Sequence, residues 1–205
     1  MQPLKCRFVF FVLSSVFVSL ACNHAVPYFG VGGHYEEGKE QFLRGRAGNM
    51  DVAVTALESV VSQDPTYKDS MTYLGRAYYN KGRYQDAYAL LQRAVVINRD
   101  DEMAWIAFGL SQLRLGQNDA GIESLKGGIT MASKVMVDGY HNLIYFDTRG
   151  LIKAQIRRSA FLITKGIEEK NDIILSTDRL LALVDDEVNF QRNTRIQNER
   201  PLYGQ

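Results

Sequence analysis

The stretch that decides the fold is Met71–Ala94, MTYLGRAYYNKGRYQDAYALLQRA, in which two helical apolar patterns flank a turn at Lys81-Gly82-Arg83. Several of its residues recur at intervals of 34. The recurring positions are Gly48, Gly82 and Gly116; Ala53, Ala87 and Gly121; Leu57, Leu91 and Leu125; and Leu74-Gly75 with Phe108-Gly109. A fixed period of this length indicates a solenoid of stacked helical units.

The period and its residues resemble the tetratricopeptide repeat, a helix–turn–helix unit of 34 residues. Three repeats can be aligned, at 34–67, 68–101 and 102–135. The second matches most fully, with Met71, Leu74, Gly75 and Tyr78 on its first helix and Ala87, Leu91 and Ala94 on its second. The first is degenerate, because Gln41 stands where the family has a small residue. The resemblance implies an all-α solenoid of about three repeats.

Small residues explain the pattern physically. A glycine or alanine at a helix crossing lets two backbones approach, and leucine fills the space beside them. Gly82 and Gly116 are expected just past helix C-termini, where glycine adopts the left-handed backbone conformation at little energetic cost. Gly128 is predicted to lie at another helix crossing.

Residues 136–192 are predicted to form a C-terminal helical extension that packs on the last repeat. Two apolar stripes support this: Leu151, Ile152, Ile156, Ala160 and Ile163; then Ile173, Ile174, Leu180, Leu181, Val184 and Val188. Asp147-Thr148 is a candidate helix start. The tail at 193–205 is polar and is expected to fray. No strand pattern is present in the sequence.

The N-terminal 22 residues resemble a bacterial lipoprotein signal peptide. Lys5 and Arg7 precede an apolar run at 8–20, which is too short to span a bilayer. The segment ends in Ser19-Leu20-Ala21-Cys22, similar to a lipobox, so Cys22 is the predicted lipidation site. Ordinary signal-peptidase cleavage is the alternative, because the family prefers leucine at the place of Ser19. Residues 23–33 are predicted to be a flexible tether.

Little in the chain indicates chemistry. The 24 basic and 23 acidic residues nearly balance, which argues against nucleic acid as a partner. The three histidines have no ligand spacing, so no metal or cofactor is expected, and His141 is interpreted as a surface or packing residue. Adjacent carboxylates such as Asp100-Asp101 and Asp185-Asp186-Glu187 are interpreted as solvated faces, as are Arg157-Arg158. The protein is therefore not expected to be an enzyme. An enzymatic site in the C-terminal helices would need a convergent polar pocket there.

The resemblance also implies where a partner would bind. In this family the first helices of the repeats line a concave groove, and the positions carried over here are Phe42, Arg46, Thr72, Arg76, Tyr79, Asn80, Ile106, Leu110, Leu113 and Arg114. Such a groove suits an amphipathic helix or an extended acidic peptide. Arg76→Glu with Arg114→Glu is then expected to weaken partner binding without unfolding the array. In the alternative, the C-terminal helices cover Ile106, Leu110 and Leu113.

These expectations converge on a lipid-anchored scaffold that binds a protein or peptide in the bacterial envelope, facing the periplasm, with the outer membrane favoured by Asn23 after Cys22. A soluble periplasmic adaptor or chaperone-like carrier is the alternative. The two differ in whether Cys22 carries a lipid.

Overall fold

The structure is a computed structural model that describes residues 30–137, 140–142 and 146–199. The described part contains eight α-helices and no strand. They are α1 (Gly30–Leu43), α2 (Met50–Gln63), α3 (Ser70–Asn80), α4 (Tyr84–Ile97), α5 (Glu102–Arg114), α6 (Asn118–Val137), α7 (Leu151–Lys165) and α8 (Lys170–Glu199). Short 3₁₀ turns lie at Gly45–Ala47, Tyr140–Asn142 and Ile167–Glu169. The all-α prediction is confirmed.

Helices α1 to α6 form three successive hairpins that stack through one apolar core. In each hairpin a glycine of the first helix lies against a leucine of the second. A Cβ atom added to Gly75 would lie 2.5 Å from Leu91 Cγ, and one added to Gly109 would lie 2.8 Å from Leu125 Cγ. The hairpins therefore close because these positions carry no side chain.

The turns of the second and third hairpins end their helices as predicted. Gly82 and Gly116 have φ angles of 74° and 80°, which favour glycine. Beyond them, the amide of Arg83 donates to the carbonyl of Tyr78, and Gln117 does the same to Gln112, both at 2.9 Å. This pattern satisfies carbonyls that the helix end would otherwise leave unpaired.

The first hairpin departs from the 34-residue rhythm. Its connection, Arg44–Asn49, has six residues where the other two hairpins have three, so α1 ends at Leu43, three residues earlier than a strict period predicts. The small residue of α1 is consequently Gly38, whose added Cβ would lie 2.6 Å from Leu57 Cγ. The prediction that this helix lacks a small residue is therefore wrong, because the strict period indicated position 41 instead of position 38.

The same shift corrects the predicted tether at 23–33. Residues 30–33 form the first turn of α1, and Val31 packs against the core. The remainder of the predicted tether, and the whole segment 1–22 with Cys22, lie outside the described residues. No α-helix within the described ranges is long and apolar enough to cross a bilayer.

The C-terminal extension consists of α7, which packs on α6, and α8, which packs on α7 and α5 and reaches α1. Most of the two predicted apolar stripes is buried, but Leu151 is 47% exposed at the start of α7. Asp147 caps α7, since its carboxylate accepts hydrogen bonds from the amides of Ile152 and Lys153, both at 2.9 Å. Helix α8 continues to Glu199, so the predicted boundary of a frayed tail at 193 is wrong.

Candidate functional site

The candidate site is the concave face of the stack, where α8 lies against the first helices of the hairpins. At a rise of about 1.5 Å per residue, the 30 residues of α8 span about 45 Å. Three polar residues of α8 spaced by seven, Asp178, Asp185 and Arg192, each contact the repeats. A spacing of seven places all three on one side of a helix.

Asp185 pairs with a buried arginine of α3. The Arg76 Nη2 atom donates to Asp185 Oδ2 at 2.6 Å, and only 4% of Arg76 is exposed. The guanidinium also lies 5.0 Å from the ring centre of Phe42, which packs edge-on against Tyr73. Burial raises the pKa of Asp185, and the adjacent guanidinium acts in the opposite direction. The pair fixes the middle of α8 to the second repeat.

Asp178 contacts the second and third repeats together. It accepts a hydrogen bond from the Tyr79 hydroxyl at 2.9 Å and one from Arg114 Nη2 at 3.3 Å. Arg114 Nε also donates to the Tyr79 hydroxyl at 3.2 Å, which closes a three-residue network. Burial is the main cause that raises the pKa of Asp178 above its ordinary value.

The two ends of α8 are held as well. Near its C-terminal end, Arg192 lies 3.7 Å from Glu36 and 3.5 Å from Glu40, both on α1. At its start, Lys170 Nζ donates to Asn118 Oδ1 of α6 at 2.9 Å. Helix α8 therefore runs back along the stack from the third repeat to the first.

A cavity of about 370 Å³ remains between α8, α3 and the start of α5. Its wall includes Arg76 and Asp185, together with Glu102, which is 1% exposed. Glu102 Oε1 lies 3.2 Å from His141 Nε2. That hydrogen bond raises the pKa of His141 above 6.5, despite the opposing effect of burial. Burial raises the pKa of Glu102 too, but hydrogen bonds with His141, Tyr140 and the backbone together outweigh burial and leave the pKa lowered.

The predicted groove residues fall into three groups. Five lie on the concave side in polar or aromatic contacts: Phe42, Thr72, Arg76, Tyr79 and Arg114. Thr72, for example, donates to Asp101 Oδ2 at 2.6 Å. Asn80 is the sixth member of this first group. It is exposed and lines a smaller depression beside Asp178.

The second group consists of Ile106, Leu110 and Leu113, which are fully buried and cannot meet a partner in this state. Ile106 and Leu113 lie against α6, because an added Cβ at Gly128 or Gly121 would lie 2.7 or 2.8 Å from them. Their placement in an open groove is therefore wrong, since glycines on α6 draw α5 close. The helix-crossing role predicted for Gly128 is confirmed.

Arg46 alone makes up the third group. It is exposed in the 3₁₀ turn after α1. Its assignment to the groove is wrong, because α1 has ended at Leu43. The six-residue connection again explains the difference.

The predicted solvated carboxylates are only partly solvated. Asp186 is exposed, but Asp185 holds Arg76, and Asp101 caps α5 by accepting from the amide of Ala104 at 2.8 Å. A sequence signal for α8 was available: the acidic residues at 178 and 185 lie at the edge of the apolar stripe rather than opposite it.

The α7–α8 interface contains a buried polar cluster. Gln155 Nε2 donates to the carbonyl and the hydroxyl of Ser176, both at 2.8 Å, and the hydroxyls of Ser159 and Ser176 lie 2.8 Å apart. These groups satisfy one another.

The paired helices, the glycine-to-leucine contacts and the two left-handed turns define the repeat. Residues 46–113 match the family model of the tetratricopeptide repeat. The match runs from the first turn to within α5, so it covers the second hairpin completely. No curated protein and no solved structure gives a significant match to the chain. Tetratricopeptide repeats imply a protein-interaction scaffold, and the family is generally non-catalytic.

Proposed function

We propose that this chain is a lipid-anchored scaffold of the bacterial cell envelope that recruits or assembles other proteins on the periplasmic side of the outer membrane. The tetratricopeptide match supports protein binding. The envelope assignment is carried by one sequence observation: a basic start and a short apolar run end at Ser19-Leu20-Ala21-Cys22.

The packing of α8 bears on where such a partner binds. Five large apolar residues of α8 are buried: Ile173, Ile174, Leu180, Leu181 and Val184. Even at about 1.5 kcal/mol each, their burial contributes about 7.5 kcal/mol in total. A partner that displaced α8 would have to offset this, in addition to the ion pairs. We therefore assign recruitment to the outer surfaces of the stack rather than to an empty concave groove.

The experiment compares wild type with Cys22→Ser in a bacterial host supplied with an alkyne-labelled fatty acid. Cys6→Ser is the matched control, because Cys6 belongs to the segment that cleavage removes. We expect label on wild type and Cys6→Ser, none on Cys22→Ser, and a shift of Cys22→Ser out of the membrane fraction. In-cell crosslinking of the labelled protein should then recover one envelope complex.

A soluble periplasmic adaptor is the second candidate, favoured by Ser19 at a position where the lipobox prefers leucine. A soluble adaptor would carry no label in wild type or in either variant. Osmotic shock would release wild type and Cys22→Ser alike, and both would be crosslinked to the same partners. A chain found uncleaved in the cytoplasmic fraction would contradict both candidates.

A further inference from the structure

Helix α7 presents a face of unusual charge to solvent. It contains four cations and no carboxylate: Lys153, Arg157, Arg158 and Lys165. All four are exposed, and none forms an ion pair with another described residue. At about 100° per residue they spread over roughly 140° of the helix circumference. The face is therefore broad and carries a single sign of charge.

Phe161 lies within this arc. Its side chain is 59% exposed, and Lys165 Nζ stands 5.0 Å from its ring centre. On the opposite side of α7, Ile152, Ile156 and Ile163 are buried. Those three residues fix the rotation of the helix, so Phe161 and the cations face outward in the folded state.

The cations of α7 differ from those of the concave face. Arg76 and Arg114 converge on single carboxylates at fixed distances, which is how a protein recognises a defined group. The α7 cations form no ion pair with a described carboxylate, and Lys165 contacts only the ring of Phe161 among the described contacts. Asp147 accepts backbone hydrogen bonds at the N-terminal end of α7, and Glu168 and Glu169 follow Gly166 beyond its C-terminal end. None of these described carboxylates forms an ion pair with the four cations.

We propose that this outer face of α7 binds the surface of an anionic lipid bilayer. Spread, unpaired cations match a plane of headgroup charge, which offers a counter-charge at every position along the helix. An exposed aromatic ring among them can enter the interface between headgroups and acyl chains. A specific acidic protein would instead favour cations pre-positioned by neighbouring side chains. The proposal concerns the folded domain and does not require a lipid on Cys22.

The first test measures co-sedimentation of the full chain carrying Cys22→Ser with vesicles of phosphatidylcholine alone or with about 30% phosphatidylglycerol. The variants are Arg157→Glu with Arg158→Glu and, as the matched control, Arg93→Glu with Arg99→Glu. Arg93 and Arg99 are also exposed. Each double variant replaces two arginines with two glutamates, so both change the net charge of the protein by the same amount. We expect the α7 double to lower the partition coefficient on anionic vesicles by about 20-fold or more, and the control to change it much less. Equal losses in the two doubles would overturn the proposal.

The second test reports on the face itself and is insensitive to binding through the N-terminal segment. In Phe161→Trp, the tryptophan emission, corrected for Trp105, should shift to shorter wavelength with anionic vesicles and should be quenched by brominated acyl chains. An unshifted and unquenched emission would overturn the proposal. Binding of soluble poly-glutamate through Arg157 and Arg158, without any such shift on vesicles, would also overturn it and would indicate an acidic protein partner. Failure of either test leaves the lipidation experiment on Cys22 unaffected.

Discussion

The three hairpins and helix α8 belong to one stack, but different kinds of contact position them. Within a hairpin, glycine meets leucine 16 residues away in the second and third repeats and 19 residues away in the first. These contacts are apolar and close in sequence. Helix α8 also buries apolar side chains, but its contacts with the repeats include polar pairs between residues 99 and 109 positions apart, Tyr79 with Asp178 and Arg76 with Asp185. Local packing therefore builds the repeats, and long-range polar pairing sets the register of α8 upon them.

This difference changes how the concave face should be understood. An open face would bind partners through the residues that the family pattern assigns to it. Here α8 occupies that face, and it carries the acidic and apolar side chains that were expected of a bound peptide. The outer surfaces are left for partners and, in our proposal for α7, for lipid.

The largest effect is expected at the pair between α3 and α8. Arg76→Glu places a second carboxylate beside Asp185 in a buried site, and we expect a loss of at least about 3 kcal/mol in the free energy of unfolding. Arg114→Glu should cost only about 1 kcal/mol or less, because Arg114 and Asp178 are each about one-third exposed. Urea denaturation of the two single variants measures both.

Because Arg76 is buried against α8, we expect Arg76→Glu to reduce stability in addition to any effect on partner binding. Equal and small losses in the two variants would show that α8 does not bury Arg76 in solution.

Packing inside the hairpins can be tested at two adjacent glycines of α6. A Cβ on Gly128 would lie 2.8 Å from the backbone nitrogen of Ile106, whereas one on Gly127 meets nothing within 4 Å. Gly128→Ala should destabilise the protein by about 1–3 kcal/mol through overpacking. Gly127→Ala should stabilise it by about 0.5–1 kcal/mol, because alanine favours a helix interior.

Thermal and urea denaturation of the two alanine variants provide the measurement. If both change stability by the same amount and in the same direction, the close approach of α5 and α6 is not present.

The smallest expected effect concerns His141 and Glu102, and it depends on pH. The raised pKa of His141 stabilises the fold below its ordinary value of 6.5, and this contribution is lost as the pH rises above it. The lowered pKa of Glu102 stabilises the fold above its ordinary value of 4.5, and this contribution is lost as the pH falls below it. The pair should therefore contribute most between these two values.

Because the His141 side chain is 61% exposed, we expect a contribution of about 0.5–1 kcal/mol. His141→Asn removes the imidazole and suits the left-handed backbone at this position, where φ is 44°. The stability difference between wild type and this variant, followed from pH 4 to 8, should peak inside the window. A difference that grows steadily up to pH 8 would contradict the assignment. His34→Asn controls for the removal of one imidazole.

The sequence predicted the second and third hairpins well, because Gly75, Gly109 and their leucine partners recur at fixed spacing. It misplaced α1, since three additional residues in one connection shift every earlier position, and a strict period cannot reveal an insertion. The 34-residue period does not predict the path that α8 takes along the repeats. The seven-residue spacing of Asp178, Asp185 and Arg192 is visible in the sequence, but the residues that they contact are determined by the tertiary structure.

A double-mutant cycle tests whether α8 lies in the concave face with Asp185 paired to Arg76. The variants are Arg76→Met, Asp185→Leu and the double, each measured by urea denaturation. The structure predicts that each single variant is destabilised, because it leaves a buried charge unpaired, and that the double recovers most of the loss, with a coupling energy above about 1.5 kcal/mol. Losses that simply add, within about 0.5 kcal/mol, would show that the two side chains do not meet and would contradict the placement of α8.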